Sequence, residues 1–117
     1  MARFVAAWEG ADVGALVELL TDDVFMSMPP MPFEYQGRDL VARFCASIFA
    51  GGRRFDLVPA RANGQPAFAV YSRRPDGVYR AHEVLVPAVT ATGIARIVVF
   101  LDPSLVTMFG LTQELEP

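Results

Sequence analysis

Residues 61–71, RANGQPAFAVY, are the stretch of sequence that decides the fold. Asn63 and Gly64 tolerate the positive φ angle that a tight hairpin turn requires. The apolar run that follows contains Phe68 and Tyr71, and it is typical of a strand. The stretch therefore predicts a β-hairpin in the middle of the chain.

Segments with helical or strand periodicity lie on both sides of this hairpin. Three of them have apolar residues at helical spacing, and Asp12 is well placed to cap the second helix. Pro29, Pro30 and Pro32 prevent regular pairing, so they predict an irregular loop after the first strand. The pattern predicts helices over 2–8, 13–20, 39–50 and 104–109, and strands over 23–28, 55–62, 67–73, 79–89 and 94–101.

The order of these segments indicates an α+β fold. Helices come first, then one strand, a third helix and a four-stranded meander, and antiparallel hairpins need no crossover helices. A curved antiparallel sheet packed on the three N-terminal helices would enclose a pocket. At 117 residues the chain is predicted to form a single domain, 1–117.

Composition limits the classes of function. Apolar residues make up 53% of the chain, which is more than an ordinary core needs. The excess favours an internal pocket or a homodimer. In the homodimer, the second copy would cover the convex sheet face at residues 97–101. Arg96 interrupts the longest apolar run, and no basic and apolar leader begins the chain, so we expect no membrane association and a cytoplasmic location.

Charge and cysteine content argue against two further classes. The net charge is −3, which disfavours direct binding of nucleic acid. The pairs Arg53-Arg54 and Arg73-Arg74 are better explained as solvated strand ends than as an anion site. Cys45 is the only cysteine and His82 the only histidine, so we expect no metal site and no cofactor.

Several short motifs resemble a known family. The chain is similar to the SnoaL-like domains of the nuclear transport factor 2-like superfamily, and more narrowly to the domain at the C-terminus of extracytoplasmic-function sigma factors. The resemblance implies the cone-shaped, cystatin-like fold, and the sigma factor's own DNA- and polymerase-binding regions are missing. The motifs that carry it are Ala6-Ala7-Trp8-Glu9, Met28-Pro29-Pro30, Tyr35-Gln36-Gly37-Arg38, the residues 61–68 and Phe100-Leu101-Asp102-Pro103.

Ketosteroid isomerases resemble the first half of the chain. That resemblance places the family's general-base aspartate at Met28, its oxyanion-hole tyrosine at Phe4 and its oxyanion-hole acid near Val84. None of these three side chains can transfer a proton. We therefore expect isomerase chemistry of that design to be absent.

Asp102 is the first candidate for acid–base catalysis. The resemblance to SnoaL-type polyketide cyclases matches it to a proton-transfer aspartate at the end of the last strand. A carboxylate desolvated by Phe100 and Leu101 could act as general acid or base. Because Pro103 follows it, however, a helix-capping role is favoured over catalysis.

His82 and Arg80 complete the candidate catalytic set. A two-residue repeat places His82, Arg80, Val84 and Val86 on one strand face. If that face is concave, His82 could shuttle a proton and Arg80 could hold a carboxylate or enolate oxygen. The favoured alternative is a hydrogen-bonded histidine in the sheet, with Glu83 pointing the other way.

The loop around Pro29, Pro30 and Pro32, called the proline loop here, carries thioether and aromatic side chains that suit an irregular apolar ligand. Ordinary core filling explains these side chains equally well. The predicted partner is a small apolar or polycyclic molecule. The predicted ligand-binding residues are Trp8, Met26, Met28, Met31, Phe33, Tyr35, Phe44, Phe68, Val84 and Phe100.

Two functions follow as alternatives. The first is a ligand-binding regulatory or interaction module related to the sigma-factor domains, which the replaced isomerase positions support. The second is a standalone cyclase, isomerase or epoxide-opening enzyme that uses Asp102, His82 and Arg80 on a polycyclic substrate. The initiating Met1 and the missing sigma regions favour the enzyme, provided that the chain is a native gene product.

Overall fold

The computed structural model describes residues 1–62 and 65–115. It confirms the α+β class and an open, curved sheet. Within the described residues the helices are α1 (Ala2–Glu9), α2 (Val13–Leu19), α3 (Arg38–Ala50) and α4 (Ser104–Met108). The strands are β1 (Leu20–Ser27), β2 (Glu34–Gln36), β3 (Phe55–Ala62), β4 (Gln65–Arg73), β5 (Tyr79–Thr90), β6 (Gly93–Phe100) and β7 (Glu114–Leu115).

The predicted central hairpin is present as β3 and β4. The two strands are antiparallel, and their last pair joins Ala62 to Gln65. The Asn63-Gly64 turn itself lies outside the described residues. The sequence missed the short strands β2 and β7, which are three and two residues long and therefore too short to show a period.

The sheet is mixed. Its strand order is β2-β1-β6-β5-β4-β3, with β7 beside β5. The prediction of a wholly antiparallel sheet is wrong at one junction, because β1 pairs with β6 in parallel. A parallel pair needs a long connection between its strands, and α3 together with four further strands supplies it. Strand periodicity does not specify which distant strands become neighbours.

The main core lies between the helices and the inner sheet face. Aromatic rings fill the space under α1 and α3, with Trp8 edge-on to Phe49 at 5.6 Å between ring centroids. Phe4 and Phe68 pack beside them at 6.0 Å. Asp12 begins α2 as predicted, because its Oδ1 accepts the Ala15 N–H at 3.0 Å. The apolar face thus fixes the helices to the sheet, and the cap fixes the residue at which α2 begins.

The chain's own C-terminal segment covers part of the outer sheet face. Tyr71 and Val84 are buried there against Val106 of α4. The Tyr71 hydroxyl donates to the Thr112 carbonyl at 2.6 Å, and burial raises the pKa of Tyr71, so the hydroxyl remains a donor. The homodimer stays a prediction, and this part of the outer face is already occupied.

Glu9 ties α1 to β3. Its Oε2 accepts the Leu57 N–H at 2.9 Å. Burial raises the pKa of Glu9, and the nearby Asp56 carboxyl raises it further, while the Leu57 amide acts in the opposite direction. The carboxyl group therefore holds its proton more tightly in the folded chain than in the unfolded chain.

Gly93 occupies a position that no other residue fits. Its φ angle is +139°, and a Cβ atom there would lie 2.7 Å from the Leu19 carbonyl oxygen. We expect Gly93→Ala to lower the free energy of unfolding by about 3 kcal/mol, since strain and a backbone clash add. Gly110→Ala is the matched control, with φ at +76° and no neighbour within 4 Å, and should cost about 1 kcal/mol. Equal losses in urea unfolding would contradict the clash.

Glu9→Gln should change how stability depends on pH. Between the ordinary value of 4.5 and the raised pKa of Glu9, the unfolded chain loses this proton while the folded chain keeps it. The stability of the parent chain relative to Glu9→Gln should therefore fall as pH rises through this window. Urea unfolding between about pH 4 and pH 8 measures the difference. The exposed Glu18→Gln is the control, and an identical pH profile for both variants would refute the assignment.

Candidate functional site

An apolar cleft opens between α3, the proline loop and the inner face of β5 and β6. Its volume is about 270 Å³. Aromatic, aliphatic and thioether side chains make up most of its wall, with three polar groups among them. The lining residues are Trp8, Met28, Phe33, Phe44, Ile48, Arg53, Phe55, His82, Glu83, Val99 and Leu101. Apolar walls with a few convergent polar groups are typical of small-molecule sites.

Backbone hydrogen bonds hold the proline loop over one end of the cleft. The Met28 N–H donates to the Phe33 carbonyl at 3.2 Å, which closes the loop on itself. The Leu101 N–H donates to the Pro29 carbonyl at 3.1 Å, which joins the loop to the end of β6. Met28 and Phe33 are thereby presented to the cleft from outside the sheet.

A β-bulge in β5 directs two consecutive polar side chains into the cleft. Glu83 pairs with Val70 and Ala81 pairs with Tyr71, so His82 is an extra residue with no partner in β4. The bulge interrupts the alternation of side chains, and both His82 and Glu83 line the cleft.

This bulge overturns the predicted strand face. The sequence placed His82 with Val84 and Val86, and it placed Glu83 on the opposite side. Val84 and Val86 instead belong to the cluster on the outer sheet face, while Glu83 lies beside His82 in the cleft. The resemblance placed the oxyanion-hole acid of the ketosteroid isomerases near Val84. The residue before it, Glu83, does place a carboxyl group in the cleft.

His82 is held between a cation and a carboxylate. The Arg53 Nη2 donates to His82 Nε2 at 2.9 Å, and because arginine can only donate, neutral His82 carries its proton on Nδ1. That Nδ1 is 3.2 Å from Glu83 Oε1. The two atoms are not aligned as a hydrogen bond, and within the described residues Nδ1 has no hydrogen-bond partner. The Arg53 guanidinium also lies 5.2 Å from the Phe55 ring centroid.

Trp8 presents an unsatisfied donor to the same cleft. Its side chain is only 2% exposed. Its Nε1 has no hydrogen-bond partner among residues 1–62 and 65–115. A buried N–H without an acceptor costs about 1–3 kcal/mol, so such a group in a native protein requires an explanation. An acceptor atom on a molecule in the cleft would supply one.

Cys45 lies close to this site but has no reactive character. The thiol is fully buried, and desolvation together with the negative charge of Glu83 raises its pKa to about 12. A thiol in this state is a poor nucleophile. No cluster of three histidine, cysteine or carboxylate side chains is present in the described part of the chain. The chemistry of the cleft thus rests on Arg53, His82 and Glu83.

Comparison with known proteins identifies the family. Residues 1–99 match the model of the SnoaL-like domain. The chain belongs to the SnoaL-like domain family. It is 37% identical over 98% of its length to the ECF RNA polymerase sigma factor SigG of Mycobacterium tuberculosis, and it spans about a third (31%) of that relative's length.

Solved structures agree with the fold of this SnoaL-like domain. A Kribbella flavida protein with suggested ketosteroid isomerase activity is 20% identical, with a TM-score of 0.72 over 86% of this chain and 73% of that one. An NTF2-like protein of unknown function from Mesorhizobium loti is 23% identical, with a TM-score of 0.68 over 87% of each chain. At these identities the similarity establishes the NTF2-like fold alone. No helix in the described residues is long and apolar enough to cross a membrane.

The SnoaL-like domain does not bring its three predicted catalytic residues together. Asp102 is exposed, and its Oδ1 accepts from the Ser104 N–H at 3.0 Å and from the Ser104 hydroxyl at 2.6 Å. Arg80 forms ion pairs with Asp76, at 3.7 Å, and with Glu114. Neither Asp102 nor Arg80 lines the cleft, whereas His82 does.

The predicted ligand-binding residues divide into three groups. Trp8, Met28, Phe33 and Phe44 line the cleft. Met26 and Phe68 are buried in the main core, and Val84 and Phe100 pack in the cluster on the outer face. Met31 and Tyr35 lie outside the lining, with Met31 exposed and Tyr35 stacked on Phe44 at 4.6 Å between centroids.

The sequence missed Glu83 and Arg53 as members of the site. Glu83 was assigned to the wrong side because a bulge has no reliable sequence signature. Arg53 was noted only as part of a basic pair beside a turn. The sequence did contain one signal for Arg53, which is that it directly follows Gly51-Gly52 at the end of α3. Because α3 packs on the sheet, the residues that follow it lie at the edge of the sheet, close to the cleft.

Proposed function

We propose that this SnoaL-like domain binds a small apolar molecule in the cleft and acts as a regulatory or interaction module. The observation that carries the proposal is the Trp8 indole N–H, which is buried, lines the cleft and has no acceptor among the described residues. The ligand that fits has an apolar ring system and one acceptor atom, such as a carbonyl oxygen.

The dimensions of the cleft set the size of this ligand. Its volume of about 270 Å³ is slightly below the roughly 300–1,000 Å³ that is usual for pockets of drug-sized molecules. A one- or two-ring compound is therefore expected, and a larger polycycle would have to extend into solvent. Phe33 stands at the opening and is 46% exposed, so it could cover such a ligand.

The similarity to SigG supports the modular part of the proposal. It covers nearly this whole chain but only about a third of the sigma factor, so the relative carries this domain beside other segments. Ligand occupancy would alter the proline loop, because Met28 and Phe33 of this loop line the cleft and Phe33 is also exposed at the protein surface. A partner that contacts this loop could then distinguish the empty and the occupied domain.

Acetylnaphthalene is a suitable probe of the cleft, because it combines two fused rings with one carbonyl acceptor. The chain has one tryptophan, so its indole N–H gives a single signal in a heteronuclear NMR spectrum. We expect titration to shift that signal strongly. By calorimetry, Trp8→Phe should weaken binding about tenfold, the value of one hydrogen bond. Met31→Ala, outside the lining, is the control, and an unmoved indole signal would refute the proposal.

General acid–base catalysis is a second candidate, favoured by the buried carboxyl of Glu83, which is 5% exposed beside His82 in an apolar cleft. The carboxylate would take an α-proton from a bound ketone, leaving an enolate whose oxygen accepts from a neighbouring N–H. Return of the proton to the same carbon restores the ketone, and no cofactor is needed. Glu83 and His82 replace Asp102 and Arg80 in this version of the enzyme.

Deuterium exchange tests this chemistry without a known substrate. In heavy water the protein should speed deuterium incorporation into the methyl group of acetylnaphthalene. Glu83→Gln should reduce the enzymatic rate about a hundredfold or more, since the base is removed. Asp102→Asn should leave the rate unchanged, because its carboxylate is bonded to Ser104 outside the cleft. If acetylnaphthalene binds but the parent chain does not accelerate exchange, the proposed catalytic function is rejected and the proposed ligand-binding module stands.

A further inference from the structure

Four arginine residues line a second cavity, which shares Arg53 with the apolar cleft. The cavity has a volume of about 430 Å³ and is called the arginine pocket here. A backbone hydrogen bond from the Arg73 N–H to the Arg54 carbonyl, 3.0 Å long, brings the two basic pairs together. The lining residues are Gly51, Gly52, Arg53, Arg54, Arg73, Arg74 and Pro75.

These four charges have no acidic partner in the described part of the chain. None of the four guanidinium groups forms an ion pair there, and no carboxylate lines the pocket. The whole protein carries a net charge of −3, so the cluster opposes the sign of the rest of the molecule. The pairing of β3 with β4 places the two arginine pairs side by side, and like charges held together repel each other.

Helix electrostatics account for only half of the cluster. Arg53 and Arg54 follow the C-terminal end of α3, where cations are stabilised by the helix dipole. Arg73 and Arg74 lie at the end of β4, where no dipole of that kind acts. A bound anion would stabilise all four.

Arg53 connects the two cavities. It lines both the apolar cleft and the arginine pocket. Its Nη2 contacts His82 within the cleft, and its guanidinium stands over the Phe55 ring. One molecule could therefore place an apolar body in the cleft and a charged group among the arginines. The unsatisfied Trp8 N–H inside the cleft independently indicates that the cleft takes a ligand.

We propose that the ligand of this cleft is a small amphipathic carboxylate, with its ring system in the cleft and its carboxylate held by Arg53 and the other three arginines. Arginine binds carboxylates through two parallel N–H···O bonds, which gives both strength and orientation. This inference rests on the proposed ligand-binding function and adds the charge of the ligand to it.

Naphthoate and its neutral methyl ester test the proposal on the full chain, since they differ in charge and share the ring system. The Trp8 indole signal reports occupancy of the cleft in both titrations. We expect naphthoate to bind about tenfold more tightly or better, the effect of one charge-assisted hydrogen bond. Added salt should weaken naphthoate binding and leave ester binding unchanged.

Variants locate the source of that preference. Arg53→Gln should remove most of it, and the pair R73Q/R74Q, which does not touch the cleft, should reduce it while ester affinity is retained. Arg43→Gln and the pair R3Q/R43Q are the charge-matched controls, because Arg3 and Arg43 are exposed elsewhere on the surface. The controls should bind naphthoate as the parent chain does.

Three results would overturn the proposal. Equal affinity for acid and ester would show that the arginines do not take part, while the proposed apolar site would stand. Naphthoate binding that leaves the Trp8 signal in place would make the arginine pocket a separate anion surface, for instance for an acidic protein segment. If neither compound shifts the Trp8 signal, both the carboxylate and the proposed function fail.

Discussion

The register shift between β4 and β5 is the constraint on which the character of the cleft depends. If β5 alternated regularly beyond Ala81, with no bulge at His82, Glu83 would share the outer face with Ala81, against the apolar cluster of Tyr71 and Val106. A carboxylate there would be desolvated with no cation beside it, which is costly. The bulge instead places Glu83 beside His82, whose other ring nitrogen meets Arg53. One extra residue thus creates the polar side of an otherwise apolar cavity.

The parts of the fold that depend on local chemistry were predictable from the sequence. Helix and strand periods, the cap at Asp12 and the turn residues after Ala62 each act within a few neighbours, and the elements they predicted are present. The parallel pairing of β1 with β6 was not predictable, because it joins segments separated by most of the chain. Tertiary packing decides such neighbours, and no local signal records them.

Site residues were predictable only where side-chain type alone suffices. Met28 and Phe33 were assigned to a ligand site because thioether and aromatic side chains in a proline-rich loop favour one, and both line the cleft. Asp102 shows the limit of this reasoning, since a carboxylate before a proline serves a local turn as readily as catalysis, and here it bonds Ser104. Glu83 could not be placed without the bulge, which depends on how β5 meets β4.

The C-terminal segment has a consequence for how the domain is delimited. The family match ends at residue 99, whereas α4 and β7 follow it and complete the outer layer of the molecule. Val106 of α4 and the Thr112 carbonyl, which receives the Tyr71 hydroxyl, belong to this layer. A boundary drawn at the end of the family match would uncover a buried tyrosine and an apolar sheet face. Such a fragment would be prone to self-association, so the domain boundary set by packing lies beyond the one set by sequence similarity.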